Sequence, residues 1–291
     1  MIFVSTTYYK KKLSDLDDVI SELSDLDIDG IEIGSTHKFN TKNNFKKIIK
    51  KIKSKKIFIH NFFPPSKDER FVINIASEDY KIREESIKLV KQNIDFCKEI
   101  NASLYTIHPG FLSLPIPKIN YKLKNYDFDF SKKNIIKKNK AFNLMKISLK
   151  EIINYAVTKK IKIAIETEGS IQKKNFLLMQ TPNEYKKLFD EIPNNLYINF
   201  NIAHTYFASQ CYKFSIKNFL DSINLKVAAV EISCNNGIYD QHLPLSINSK
   251  NLNFLKLIKN KPIILEFRNS TLNQIKESIK IIKNSYENKT I

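Results

Sequence analysis

Short runs rich in β-branched and aromatic residues recur along the chain, at residues 2–5, 30–33, 57–60, 103–108, 161–166, 196–201, 226–232 and 262–267. They are too continuously apolar for half-wetted strands and predict strands buried on both faces of a parallel sheet. Between them the apolar period lengthens to three and four. Leu13, Leu16, Val19, Ile20 and Leu23 make one such stripe, and Ile87, Val90, Ile94 and Cys97 another; that spacing gathers side chains on one face of a helix. Helix starts are written in as well. Thr181, Pro182 and Glu184 supply an N-cap, a first-turn proline and a capping-box carboxylate before Tyr185 and Leu188. Ser270 or Thr271 opens a last helix carrying Ile275, Ile279 and Ile282.

Eight strands alternating with eight helices in 291 residues predict an α/β protein with a closed (β/α)8 barrel. An open doubly wound sheet is the alternative. With no internal repeat, linker or shift of composition, residues 1–291 are expected to form one domain. Two connections are long, residues 61–80 and 109–132, and are expected to cover a site. The second, with PIPKINYKLKNYDFDF, suits a lid or a subunit contact. There are five glycines, of which Gly34, Gly110, Gly169 and Gly237 follow predicted strands, where the chain must turn at the barrel mouth. Neither G-x-G-x-x-G nor G-x-x-x-x-G-K-[ST] occurs, which argues against dinucleotide and P-loop chemistry.

Composition narrows the class. A chain 42% hydrophobic and 27% charged folds, and no apolar run reaches the roughly 20 residues of a membrane helix, so no membrane partner is expected. The start, MIFVSTTYYKKK, reverses the order of a secretory signal, and Cys97, Cys211 and Cys234 form no C-x-x-C pair. Reduced thiols and a cytoplasmic location are expected. The net charge of +18 raises nucleic acid as a partner. Arg70, Arg83 and Arg268 are the only arginines, however, and the lysines run through segments of helical character, which favours a diffuse solvated coat over a phosphate-binding patch.

The candidate chemistry sits at strand ends. His60 and His108 end the third and fourth runs, His204 lies just past the sixth, and His242 follows the seventh. Strand ends from different βα units meet on one rim of a barrel, so such histidines can share a metal ion. Glu166, Glu231 and Glu266 close apolar strands, where a lone carboxylate must be solvated, paired or metal-bound. Asp240 and His242, two apart, project to one side of an extended segment.

These residues resemble the xylose isomerase-like barrels, a superfamily of sugar isomerases and epimerases that includes the endonuclease IV type of apurinic-site endonuclease. The similarity runs from the second to the eighth strand and is strongest in FVINIASEDYKIREESIKLVKQNIDFCKEINASLYTIHPG, which looks like the endonuclease IV stretch ending in a metal-binding His-Pro-Gly. The resemblance implies that His60 and His108 are metal ligands, Glu166 a bridging glutamate and Glu266 the last-strand glutamate. It further implies that His204, Asp240 and His242 make a third metal site. Two positions depart from the pattern: Asn201 stands where the family has an aspartate, and Glu231 where it has a histidine. The result is either an oxygen-only cage of Glu166, Asn201, Glu231 and Glu266, suited to Mn2+ or Mg2+ more than Zn2+, or a site that has lost its ion.

The resemblance implies a divalent-metal-dependent isomerase or epimerase of a small sugar or sugar phosphate. Glu166 and Glu266 would be the catalytic acid and base in proton transfer through an enediolate. His60 would touch the substrate, and Arg268, on the strand face of Glu266, would clamp a phosphate or carboxylate. The alternative is an endonuclease IV-like enzyme hydrolysing DNA phosphodiesters, which the charge and the four histidines favour and Asn201, Glu231 and the scarcity of arginine oppose. Phe62, Phe63, Phe111 and Tyr206 are candidate pocket walls.

Overall fold

The computed structural model describes residues 1–9, 14–34, 37–52, 54–61, 63–68, 70–120, 125–172, 175–235, 240–258 and 260–287. Phe62, Gly237 and Leu13 lie outside them. The parallel strands are β1 (Ile2–Ser5), β2 (Gly30–Ile33), β3 (Lys56–His60) and β4 (Leu104–Ile107). After the antiparallel hairpin β5 (Pro115–Asn120) and β6 (Asn125–Phe130), they continue as β7 (Lys162–Glu166), β8 (Leu196–Asn201), β9 (Val227–Ile232) and β10 (Ile263–Leu265). The eight parallel strands close in the order β1, β10, β9, β8, β7, β4, β3, β2, so the barrel is a TIM barrel. All eight coincide with the runs read from the sequence, ends shifting by a residue or two.

Helices α1 (Leu16–Ser24), α2 (Lys42–Ile49), α3 (Tyr80–Glu99), α4 (Lys138–Lys159), α5 (Pro182–Glu191), α6 (Ile202–Tyr212), α7 (Ile216–Ile223), α8 (Leu252–Leu255) and α9 (Leu272–Glu287) surround it. Their apolar stripes face the strands: Leu16, Val19, Ile20 and Leu23 of α1 and Ile87, Val90, Ile94 and Cys97 of α3 are buried. The capping box of α5 is present, with the Thr181 N–H donating to Glu184 at 3.1 Å. At α9 the cap is Thr271, whose N–H donates to Gln274 Oε1 at 2.8 Å while its hydroxyl accepts from the Gln274 N–H at 3.3 Å. Surface lysines pair with acids, as Lys91 does with Glu151 and Lys51 with Asp17. Among the described residues no helix is long and apolar enough to cross a membrane.

The two long connections take different forms. Residues 61–79 tuck Ile73, Ile75 and Ala76 into the core, and Asn74 clamps the turn after β4. It accepts from the Phe111 N–H at 2.9 Å and donates to the Phe111 carbonyl at 3.2 Å. Gly110 is required there. Its φ is +92°, and a Cβ would stand 2.7 Å from Asn74 Oδ1 and 2.9 Å from the Ala76 nitrogen. The other connection folds into the β5–β6 hairpin, anchored by Phe130 against Phe111 and Phe176 with ring centroids 5.1 and 4.9 Å apart.

Candidate metal centre at the barrel mouth

Strand alternation builds the site. Phe3, Phe58, Leu104, Ala164, Ala229 and Ile264 point inward and form an apolar plug, with Phe3 stacked on Phe58 at 4.2 Å. Two residues further along the same strands the same inward direction presents Ser5, His60, Thr106, Glu166, Glu231 and Glu266, all buried. Glu32 joins them from β2 and Asn199 and Asn201 from β8. His108 and Glu266 each lie one residue past a strand end, and His204 is in the first turn of α6. His242 is held at φ +48°, a left-handed conformation that costs a non-glycine residue free energy.

Among the described residues three groups of potential ligands result, the donor atoms of each within 4.8 Å of one another: His60, His108 and Glu166; His204, Asp240 and His242; and Glu166, Glu231 and Glu266. Glu166 links them. Its Oε2 is 2.9 Å from His60 Nε2 and 3.4 Å from His108 Nδ1, and its Oε1 is 3.1 Å from His204 Nδ1. On the other flank Asp240 Oδ2 lies 3.2 Å from His204 Nε2 and 2.7 Å from His242 Nε2, while His242 Nδ1 is 3.1 Å from Glu266 Oε2. Gly169 lets this assembly close, since a Cβ there would fall 1.8 Å from the His204 carbonyl oxygen.

Asn201 occupies the middle. Its Oδ1 accepts the His204 backbone N–H at 3.2 Å and so caps α6. That fixes the amide: Nδ2 faces Glu166 Oε1, Glu231 Oε2 and Glu266 Oε2 at 3.0, 2.9 and 3.0 Å. Asn199 donates to the other Glu231 oxygen at 2.6 Å and to Thr106 at 3.2 Å.

Three groups join the site beyond those expected. Glu168, buried, meets His108 Nδ1 at 2.6 Å. Asn199 supports Glu231 from two residues below Asn201. Glu32 is fully buried, and neither of its carboxylate oxygens has a hydrogen-bond partner. The signal for Glu32 was present, because GIEIG places a glutamate one residue before an apolar strand end, as VAAVEIS does for Glu231.

The electrostatics follow from burial and proximity. Burial alone would raise Glu166, but His108, His204 and His60 hold it well below the ordinary carboxylate value. Glu266 is likewise pulled down to about 2, His242 outweighing burial. Glu231 goes the other way: burial and repulsion from Glu166, Glu266 and Glu32 raise it well above the ordinary value. Burial carries Glu32 up to about 7. Burial would lower His60, yet Glu166 and Glu32 raise it to about 9, and His204 and His242 are raised by Asp240 together with Glu166 and Glu266 respectively. The fifth histidine, His37, sits outside the site between Thr6 and Ser14 hydroxyls at 2.7 and 3.3 Å, and burial lowers it to about 4.

As donor sets, the two flanking groups, each two imidazoles and a carboxylate, fit a divalent ion of the Zn2+ or Mn2+ kind. Asp240 Oδ1 is a buried oxygen still without a partner there. The three-carboxylate centre does not fit as arranged, because the amide nitrogen between the carboxylates has no lone pair for a cation. Arg268 is exposed, its backbone N–H donating to the His242 carbonyl at 2.9 Å. Phe63 is no pocket wall: it is fully buried against His37, Phe45 and Phe96. Tyr206 packs on Phe254 and Phe111 on Phe130.

Known proteins agree with this architecture. Two uncharacterized proteins of Methanocaldococcus jannaschii are 26% identical over 223 residues, 74% of this chain and 67% of theirs, and 25% identical over 206 residues, 70% and 69%. A crystal structure of a D-tagatose 3-epimerase-like protein superposes with a TM-score of 0.73 at 20% identity, covering 98% of this chain and 97% of that one. A D-psicose 3-epimerase with D-tagatose, from Clostridium cellulolyticum H10, gives 0.69 at 12% identity over 98% of both. At these identities the solved structures speak for the fold. The family described as xylose isomerase-like TIM barrel matches residues 20–285, nearly the whole barrel, and the chain belongs to it.

Proposed function

We propose that this protein is a divalent-metal-dependent isomerase or epimerase of a small sugar or sugar phosphate. The observation that carries the reading is the pair Glu166 and Glu266. They rise from β7 and the end of β10, each 3.0 Å from the Asn201 amide, and imidazoles keep both ionised. An ionised carboxylate can take a proton from a substrate carbon, and the carboxyl so formed can return it, so either acid can serve as the base in the proton transfer. His60, on the Glu166 side, would bind a substrate hydroxyl, and Arg268 would hold a phosphate or carboxylate. A divalent ion, held by His60, His108 and Glu166 or by His204, Asp240 and His242, would supply Lewis acidity toward carbonyl and hydroxyl oxygens. Epimerases among the structural neighbours support the substrate class.

The test is solvent exchange. Protein reconstituted with Mn2+, Mg2+ or Zn2+ is incubated in D2O with ketoses and their phosphates, and deuterium entering the substrate at the carbon next to the carbonyl is followed by NMR. Exchange that Glu166→Gln and Glu266→Gln each abolish is expected; absence of exchange with every sugar refutes the reading. One observation favours a second one, endonuclease IV-like phosphodiester hydrolysis. The residues that this resemblance implies for two of its metal sites, His60, His108 and Glu166 and also His204, Asp240 and His242, have donor atoms within 4.8 Å of one another. Incision of abasic duplex DNA by the zinc-loaded protein decides for it.

A further inference from the structure

A carboxylate carries two oxygens and a carboxamide one, and the single oxygen of Asn201 is already used. It caps α6 by accepting the His204 N–H at 3.2 Å, and turning it toward the barrel axis would strip that cap. What faces the axis is Nδ2, a pure donor, within 3.0 Å of one oxygen from each of Glu166, Glu231 and Glu266. The other Glu231 oxygen takes the Asn199 amide at 2.6 Å, so both oxygens of this carboxylate are held by N–H groups. Three acidic side chains crowded together need compensation, which the imidazoles of His60, His204 and His242 and these amide donors supply together. The two flanking triads each bring two imidazoles and a carboxylate together, and Asp240 retains a buried oxygen with no hydrogen-bond partner.

We infer that the Asn201 amide closes the centre between Glu166, Glu231 and Glu266 to metal ions, so that this chain holds two divalent ions, one in each flanking triad. The inference rests on the metal dependence proposed above and goes beyond it by fixing the number and place of the ions. Asn201→Asp keeps one oxygen for the cap and turns a second toward the axis, and Glu231→His alongside it restores the count of three carboxylates while adding a ligand nitrogen.

Native mass spectrometry of the full chain titrated with zinc acetate, and separately with manganese acetate, counts the ions. Saturation at two is expected for the wild type and at three for the Asn201→Asp/Glu231→His variant. Wild-type saturation at three or at one, or a variant that stays at two, overturns the inference and leaves the proposed metal dependence standing. A wild type that binds none removes both. Should the variant fail to fold, wild-type crystals soaked in manganese chloride carry the same test: anomalous peaks at the two triads are expected, and a peak within bonding distance of Glu231 overturns the inference.

Discussion

Replacing Glu32 by glutamine should stabilise the metal-free protein at alkaline pH. Glu32 points into the closed barrel with no hydrogen bond to either oxygen, and burial, only partly offset by the nearby His60 and Ser5, raises its pKa from 4.5 to about 7. A carboxyl raised in the folded state contributes fully below its unfolded value, and that contribution is lost as pH rises through the folded value. Between pH 4.5 and pH 7 the wild type should therefore lose stability. The difference between the two values corresponds to about 3 kcal/mol once the group is ionised. Glutamine has the same shape and no charge to bury, so the variant should match the wild type below pH 4.5 and gain up to that amount at alkaline pH. Urea unfolding of EDTA-treated protein, followed by far-UV circular dichroism across this range, measures the gap. A gap that does not open with pH, or a variant less stable than wild type at alkaline pH, would refute the claim that this buried acid is unpartnered.

Acid should act through another group. His37 is held neutral down to about 4 instead of 6.5, so stability present above pH 6.5 should fall as pH drops toward 4, by up to about 3 kcal/mol, and His37→Asn should flatten that limb of the unfolding curve. Gly169→Ala forces a methyl into the His204 carbonyl, and we expect a lower melting temperature together with at least tenfold weaker zinc binding. Unchanged zinc affinity in a folded variant would show that the loop after β7 does not set His204. Asp240→Asn removes the charge that both His204 and His242 face, and zinc titration should show one ion fewer with the fold retained.

Much of this site was legible because a barrel strand has a period of two. Once Ala164 is inside, Glu166 is inside, and the same step carries Phe58 to His60, Ala229 to Glu231 and Ile264 to Glu266. The rest escaped for identifiable reasons. Glu32 obeys the same rule in a strand with no other suggestive residue, and Asn199 stands behind its more suggestive neighbour Asn201. Glu168 lies in a loop, whose path no periodicity dictates; its place depends on Gly169 fitting against α6. The alternation of NYDFDF carried the signal for β6, although the segment reads first as a mixed loop. Phe63 shows the opposite limit, since an aromatic next to a strand end reads alike whether it lines a pocket or packs between helices. The amide direction of Asn201 depends on α6 beginning at the following residue, which spacing alone does not reveal.

The stacked rings of Phe3 and Phe58, with the aliphatic side chains around them, seal one end of the cylinder. The buried acids lie two residues further along the strands, on the side away from that plug. Under the proposed function, capture of a substrate and departure of a product would both take place at the mouth on that side.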